Sequence, residues 1–146
     1  MKEIKTVRYA KDTDLLDILK LDRENFKSFY DKDFYLKKIL DEKILIIEFN
    51  KEFVGFICFE FIFDQAEVYK FVIKKEHRKK KLGLLLMEYF INEMKDKGVL
   101  KIFLEVRVDN SSAISFYEKF NFKKLRKIKD YYTNPKVDGY AMLKEV

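Results

Sequence analysis

One run of side chains restricts the fold more than any other. Leu82, Leu85, Leu86, Tyr89, Phe90 and Met94 recur at helical spacing, and Gly98 follows where a left-handed residue can close a helix. The spacing predicts a helix over residues 82–97. The apolar stretch 99–106 then reads as a buried strand, and Asn110 or Ser111 is a good N-cap for a helix running to Phe120. Asn121 can take the left-handed position after it, and 122–128 and 139–143 complete the second half as strands.

The first half has the same mixed character. Ile4, Val7 and Tyr9 suggest a short strand, and Asp14 opens an amphipathic segment carrying Leu15, Leu16, Ile18 and Leu19. A short helix is predicted at about 33–40. Residues 44–49 and 53–63 read as antiparallel strands joined by an Asn50-Lys51 turn, and 68–73 is a third apolar run. The expected class is mixed α/β or α+β. No linker or internal repeat interrupts the 146 residues, so one domain over 1–146 is expected.

Composition removes several functions. Hydrophobic residues make up 48 %, with 15 Phe and 9 Tyr against 4 Gly and 1 Pro, which excludes disordered and collagen-like readings. The longest apolar stretches, 44–47 and 84–87, fall far short of the roughly 20 residues that span a bilayer. The first residues lack the apolar core of a secretory signal, so a cytoplasmic location is expected. Cys58 is the one cysteine and His77 the one histidine, which excludes an internal disulfide, a Cys/His zinc cage and a Cys-His nucleophile pair. No metal is expected. A formal net charge of +6 favours an anionic partner.

The junction His77-Arg-Lys-Lys-Lys-Leu-Gly-Leu places a basic loop between a strand and the start of the predicted helix. Free N–H groups and the positive end of the helix dipole point outward there, and Lys79, Lys80 and Lys81 add charge. Such a turn is suited to phosphate, although a run of cations is by itself more often a solvated loop.

Arg78-Lys-Lys-Lys-Leu-Gly83 resembles the acetyl-CoA pyrophosphate loop of the GNAT superfamily of N-acetyltransferases. The runs Leu104-Glu-Val-Arg-Val-Asp-Asn110, Ala113-Ile-Ser-Phe-Tyr-Glu-Lys-Phe-Asn-Phe122 and Tyr131-Tyr-Thr-Asn-Pro135 are similar to the branch holding ribosomal-protein alanine N-acetyltransferases and archaeal N-terminal acetyltransferases. The resemblance covers residues 66–144 and implies a central, mostly antiparallel twisted sheet flanked by helices. Lys81 stands where the family's first loop glycine does, and a slightly reshaped loop is expected.

The resemblance implies roles residue by residue. Phe71, Val72 and Ile73 would pair with the pantetheine arm, and Arg78, Lys79, Lys80, Lys81, Leu82, Gly83 and Leu84 would surround the pyrophosphate. Asn110 would bond the cofactor near its bend. Glu105 matches the general base, and Tyr117 matches the acid that protonates the departing thiolate beside the cofactor. Tyr131 and Tyr132, in the loop before the last strand, match positions that touch the acceptor. Taken alone, Glu105 could equally point outward and pair with Arg107 or a lysine, and Tyr117 could be core. His77, Arg78 and Arg107 read as electrostatic or structural, and Cys58 as packing.

The implied reaction is acetyl transfer from acetyl-CoA to a protein N-terminus, an alanine or serine of a ribosomal protein by analogy, by a monomer or homodimer. Lysine side chains, polyamines and other small amines are the alternative acceptors. A basic RNA- or ribosome-binding module is the rival class, with a CoA-binding pseudoenzyme as a third reading. The basic clusters, including 123–129, carry no RNA-module signature and no regularly spaced exposed aromatics, which argues against nucleic acid.

Overall fold

The computed structural model describes residues 2–146. Among the described residues seven strands, numbered along the chain, form one sheet in the order 1-2-3-4-5-7-6, and there are four α-helices. The backbone divides into two compact units, Met1–Glu60 with Tyr69–Glu93, and Phe61–Val68 with Met94–Val146.

The first unit holds β1 (Lys5–Tyr9), α1 (Leu15–Asn25), α2 (Lys32–Leu40), β2 (Ile44–Phe49), most of β3 (Glu52–Ile62), the end of β4 (Gln65–Ile73) and most of α3 (Leu82–Asp96). β1 and β2 pair antiparallel, as do β2 and β3, around a turn with positive φ at Asn50 and Lys51. Ile18, Leu21, Tyr35, Ile39, Ile44, Ile46, Phe56, Cys58 and Val72 belong to one buried cluster. Within it lies an ion pair, Lys70 Nζ to Asp22 at 3.2 Å, and Asp22 also accepts from the Tyr35 hydroxyl at 2.6 Å. This pair ties β4 to both early helices. On α1 the buried apolar positions are Leu15, Ile18 and Leu21, while Leu16 is turned to solvent.

α3 begins and ends where its pattern requires. Its buried stripe is Leu82, Leu86, Met87, Phe90, Ile91 and Met94, with Tyr89 exposed, so the inward face is rotated slightly from the one expected. Gly98 takes φ 82, and the Gly98 and Val99 amides donate to the carbonyls of Lys95 and Met94. Val99 is consumed by this cap, which delays the next strand.

That strand, β5 (Lys101–Arg107), belongs to the second unit with α4 (Ser111–Lys119), β6 (Lys123–Thr133) and β7 (Lys136–Glu145). β4 pairs parallel with β5 over Gln65–Glu67 and Lys101–Phe103. β5 pairs antiparallel with β7 along its full length. Ile102, Leu104 and Val106 point into a core with Ile114, Phe122 and Met142. Asn110 caps α4 by accepting from the Ala113 amide at 3.2 Å, and Asn121 takes φ 67 after it. One expectation is corrected: Tyr131 and Tyr132 lie in β6, not in a loop. The ladder shifts register between Ile128 and Tyr132, and Asp130 has φ 52, so the alternation is broken although the strand continues.

Candidate active site

In the first unit, β4 ends at Ile73 and a short 3-10 turn, Lys75–His77, leads into the basic loop. Arg78 Nε donates to the Ile73 carbonyl at 2.9 Å, and its Nη2 donates to Asn25 Oδ1 at 2.7 Å. The guanidinium is therefore committed to holding the loop between β4 and α1. Lys80 Nζ lies 3.3 Å from His77 Nδ1 and 4.5 Å from the centre of the Phe49 ring.

Lys81 has φ 62, the left-handed conformation that a glycine adopts without penalty. The loop places a lysine in this conformation, and the lysine bears the strain of it. The Lys81 carbonyl accepts the first helical bond, from the Leu85 amide at 3.3 Å. The amides of Leu82, Gly83 and Leu84 thus have no acceptor within the helix and face the same end as three exposed lysines. Glu76 is the one carboxylate between residues 74 and 84. This donor set fits a pyrophosphate.

Phe71, Val72 and Ile73 form the last turn-free stretch of β4, with Val72 and Ile73 buried. Gly55 on β3 lies against them so closely that a Cβ built there would stand 2.7 Å from the Val72 carbonyl oxygen.

In the second unit, Glu105 is half-buried on the face of β5 opposite its core residues. It does not pair with Arg107, which is held by Asp109 at 3.0 Å. Instead the Tyr131 hydroxyl donates to Glu105 Oε1 at 3.1 Å, and the Tyr131 and Tyr132 rings meet edge to face at 5.0 Å. Burial and the Glu105 charge raise the Tyr131 phenol above its usual range, and the same two causes push Tyr132 up to about 12. Tyr117 is buried at 9 % exposure, packs on Phe122 and Phe116, and is held above the normal phenol range by burial and by Tyr132. Tyr117 is consequently a protonated phenol at pH 7. Asn110 Oδ1 is occupied by the α4 cap.

The second unit therefore collects a carboxylate with three tyrosines, and the first unit presents an anion cradle. The acetyltransferase (GNAT) family model matches residues 13–122. The chain belongs to that family. A ribosomal protein bS18-alanine N-acetyltransferase of Bacillus subtilis, named as putative, is 28 % identical over 145 residues, covering 97 % of this chain and 96 % of that one. An N-alpha-acetyltransferase of Saccharolobus solfataricus is 30 % identical over 152 residues, covering 94 % and 90 %. The solved Arabidopsis thaliana Naa50 in complex with the bisubstrate analogue CoA-Ac-MVNAL superposes with a TM-score of 0.88 at 22 % identity, covering 97 % and 99 %.

This acetyltransferase uses acetyl-CoA as its cosubstrate to modify an amine. Cys58 is buried, and burial pushes its thiol up to about 12, so it offers no thiolate near neutral pH. Among the described residues no group of three or more His, Cys, Asp or Glu could hold a metal, and no helix is long and apolar enough to cross a membrane.

Three site features escaped the sequence reading. Asn25 anchors Arg78 from 53 residues away. Gly139, paired with Ile128 in the ladder, would bring a Cβ within 3.2 Å of the Tyr131 ring, so its lack of a side chain makes room for the tyrosine pair. Glu67 on β4 is a second carboxylate whose charge bears on Tyr131. None of the three carries a local pattern that marks it.

Proposed function

We propose that this acetyltransferase acts as a single domain over residues 1–146 and modifies the α-amine at a protein N-terminus, of the ribosomal-protein type. The observation that carries the reading is the Glu105 carboxylate gathered with Tyr131 and Tyr132 on the half-exposed face of β5 and β6. The names of the Bacillus and Saccharolobus relatives support the α-amine, and so does the peptide portion of the analogue bound to Naa50. An α-amine with pKa near 8 is about one-tenth neutral at pH 7, whereas lysine near 10.4 is below about one in a thousand, so a carboxylate base suffices for the former.

Acetyl-CoA supplies an activated thioester carbonyl. The amides of Leu82 to Leu84 with Lys79, Lys80 and Lys81 hold the pyrophosphate, Arg78 fixes the loop that carries them, and Phe71, Val72 and Ile73 align the pantetheine arm. Asn110 steadies the cofactor at its bend. Glu105 takes a proton from the attacking amine, directly or through one water, and Tyr131 and Tyr132 orient the acceptor. The C–S bond breaks as the C–N bond forms, and Tyr117 gives its proton to the leaving thiolate.

The test is incubation with acetyl-CoA and peptides bearing free or blocked N-termini, with the acetyl group located by mass spectrometry. Acetylation of free N-termini is expected, and modification confined to internal lysines overturns the acceptor assignment. Glu105→Gln and Tyr117→Phe are each expected to lower kcat by about 100-fold or more. Unchanged turnover in either variant removes that residue's role.

A further inference from the structure

β6 carries five cations against one carboxylate, Asp130, and so four of the chain's net charge of +6. Lys123, Lys124, Arg126, Lys127 and Lys129 stand within seven residues; set apart from the 31 Lys and Arg, they leave 26 against 25 Asp and Glu. All five are exposed. Among the described residues none of them is paired with a carboxylate. Lys124 and Lys127 instead lie 4.6 and 5.9 Å from the centre of the half-buried Tyr140 ring. β6 is the terminal strand of the sheet, so its outer edge carries no neighbouring strand.

Lysines on an edge often serve only to deter strand pairing. Here that task is already met by two breaks in the ladder, between Lys124 and Arg126 and between Ile128 and Tyr132. The same breaks discriminate between anionic partners. An acidic peptide strand needs a regular edge to pair with, and the uninterrupted ladder between the breaks is limited to Arg126, Lys127 and Ile128. A flexible polyanion needs only side-chain cations. At about 3.3 Å per residue the charged stretch extends about 20 Å, comparable with a single-strand site of about 4 nucleotides.

We propose that β6 is a docking strip for the phosphodiester backbone of single-stranded RNA, separate from the acetyl-transfer machinery. Contacts of this kind read charge rather than bases, so they require no RNA-module signature in the sequence. Lys123 and Arg126 register with Leu143 and Ala141 on the Glu105 face, Lys124 and Lys127 with Met142 and Tyr140 on the other. RNA along this edge thus meets cations of both faces in the unit that holds Tyr131 and Glu105. An acceptor carried on an RNA-rich particle would meet the enzyme at raised local concentration.

The experiment is fluorescence anisotropy of the full chain with a labelled 20-nucleotide single-stranded RNA, from 50 to 200 mM KCl. Five phosphate contacts at about 0.7 ions each give a log-log slope of about −3.5, an affinity loss of about 100-fold over that range. Replacing all five cations with Gln is expected to abolish binding while peptide acetylation is retained. Lys124→Gln with Lys127→Gln, a milder change to an exposed edge, is expected to reduce the slope by about 1.4. Substituting Gln at Lys79, Lys80 and Lys81 should leave the slope unchanged. The proposal is overturned if wild type shows no binding at 50 mM, if the β6 variants bind like wild type, or if a polyglutamate peptide of equal charge binds as tightly as the RNA. Because the readout is binding, its failure is distinguishable from failure of the acetyl-transfer reading.

Discussion

Gly55→Ala tests whether the packing behind β4 supports the cofactor strand. An alanine Cβ would stand 2.7 Å from the Val72 carbonyl oxygen, 2.7 Å from Ile73 Cδ1 and 3.2 Å from Ile47 Cγ2. The Ile73 methyl can rotate away, but the carbonyl is backbone. Restoring a C···O separation of about 3.3 Å requires β4 to move by about 0.6 Å. Overpacking of this kind costs about 1–3 kcal/mol, and at about 3 °C per kcal/mol the melting temperature falls by about 3–9 °C. Since a 1 Å misplacement can cost about 100-fold, a shift of this size should lower kcat/KM for acetyl-CoA by about tenfold. Gly98→Ala is the control: its φ of 82 makes alanine strained, but nothing lies within 4 Å of the added Cβ. It should reduce stability and leave kcat/KM unchanged. Scanning calorimetry and thiol-release kinetics read both quantities. A Gly55→Ala protein melting within about 1 °C of wild type refutes the packing argument. A lowered melting temperature with unchanged kinetics refutes the role of Phe71, Val72 and Ile73.

Two further outcomes follow from geometry. Lys81→Gly relieves a left-handed lysine and should raise the melting temperature by about 2–4 °C, while loss of one cation raises KM for acetyl-CoA several-fold; a fall in stability would contradict the strain assigned at φ 62. Asp14→Asn tests an ion pair: Asp14 accepts from Arg8 at 2.7 and 2.9 Å and from the Lys11 amide at 2.8 Å. Burial alone would raise the Asp14 carboxyl, but these bonds and the Arg8 charge outweigh it and hold the group below the usual carboxylate range. The native chain thus binds this proton more weakly than the unfolded chain. Its contribution is full above the unfolded value of about 3.9 and is lost as pH falls through the lower native value. At pH 7 the variant should lose about 2 kcal/mol in urea melts, and the gap should close below about pH 4. A gap that does not change with pH would refute the linkage.

Local pattern was sufficient for the elements whose signals are local. The span of α3, the Gly98 cap, the Asn110 cap and the Asn50-Lys51 turn each depend on residues within a few positions of one another, and each lies where its spacing places it, with only the buried stripe of α3 slightly rotated. The extension of β6 through Tyr131 and Tyr132 was hidden, because a left-handed Asp130 disrupts the alternation that a strand needs to be recognised. At Lys81 the backbone takes φ 62, a conformation held by the Arg78 anchor and the start of α3 as well as by its own side chain.

By itself, the sequence determined the order of helices and strands, the basic turn ahead of Gly83, and the residue types available for acid-base work. Tertiary structure decided which of those groups meet. Asp22 and Lys70 form a buried pair from positions 48 apart in the chain, Arg78 is spent on Asn25, and Glu105 is bonded by Tyr131 rather than by Arg107. Periodicity reports the face on which a side chain lies, because that follows from the geometry of one element. The partner across a sheet or between helices depends on register and packing, which no stretch of neighbouring residues specifies.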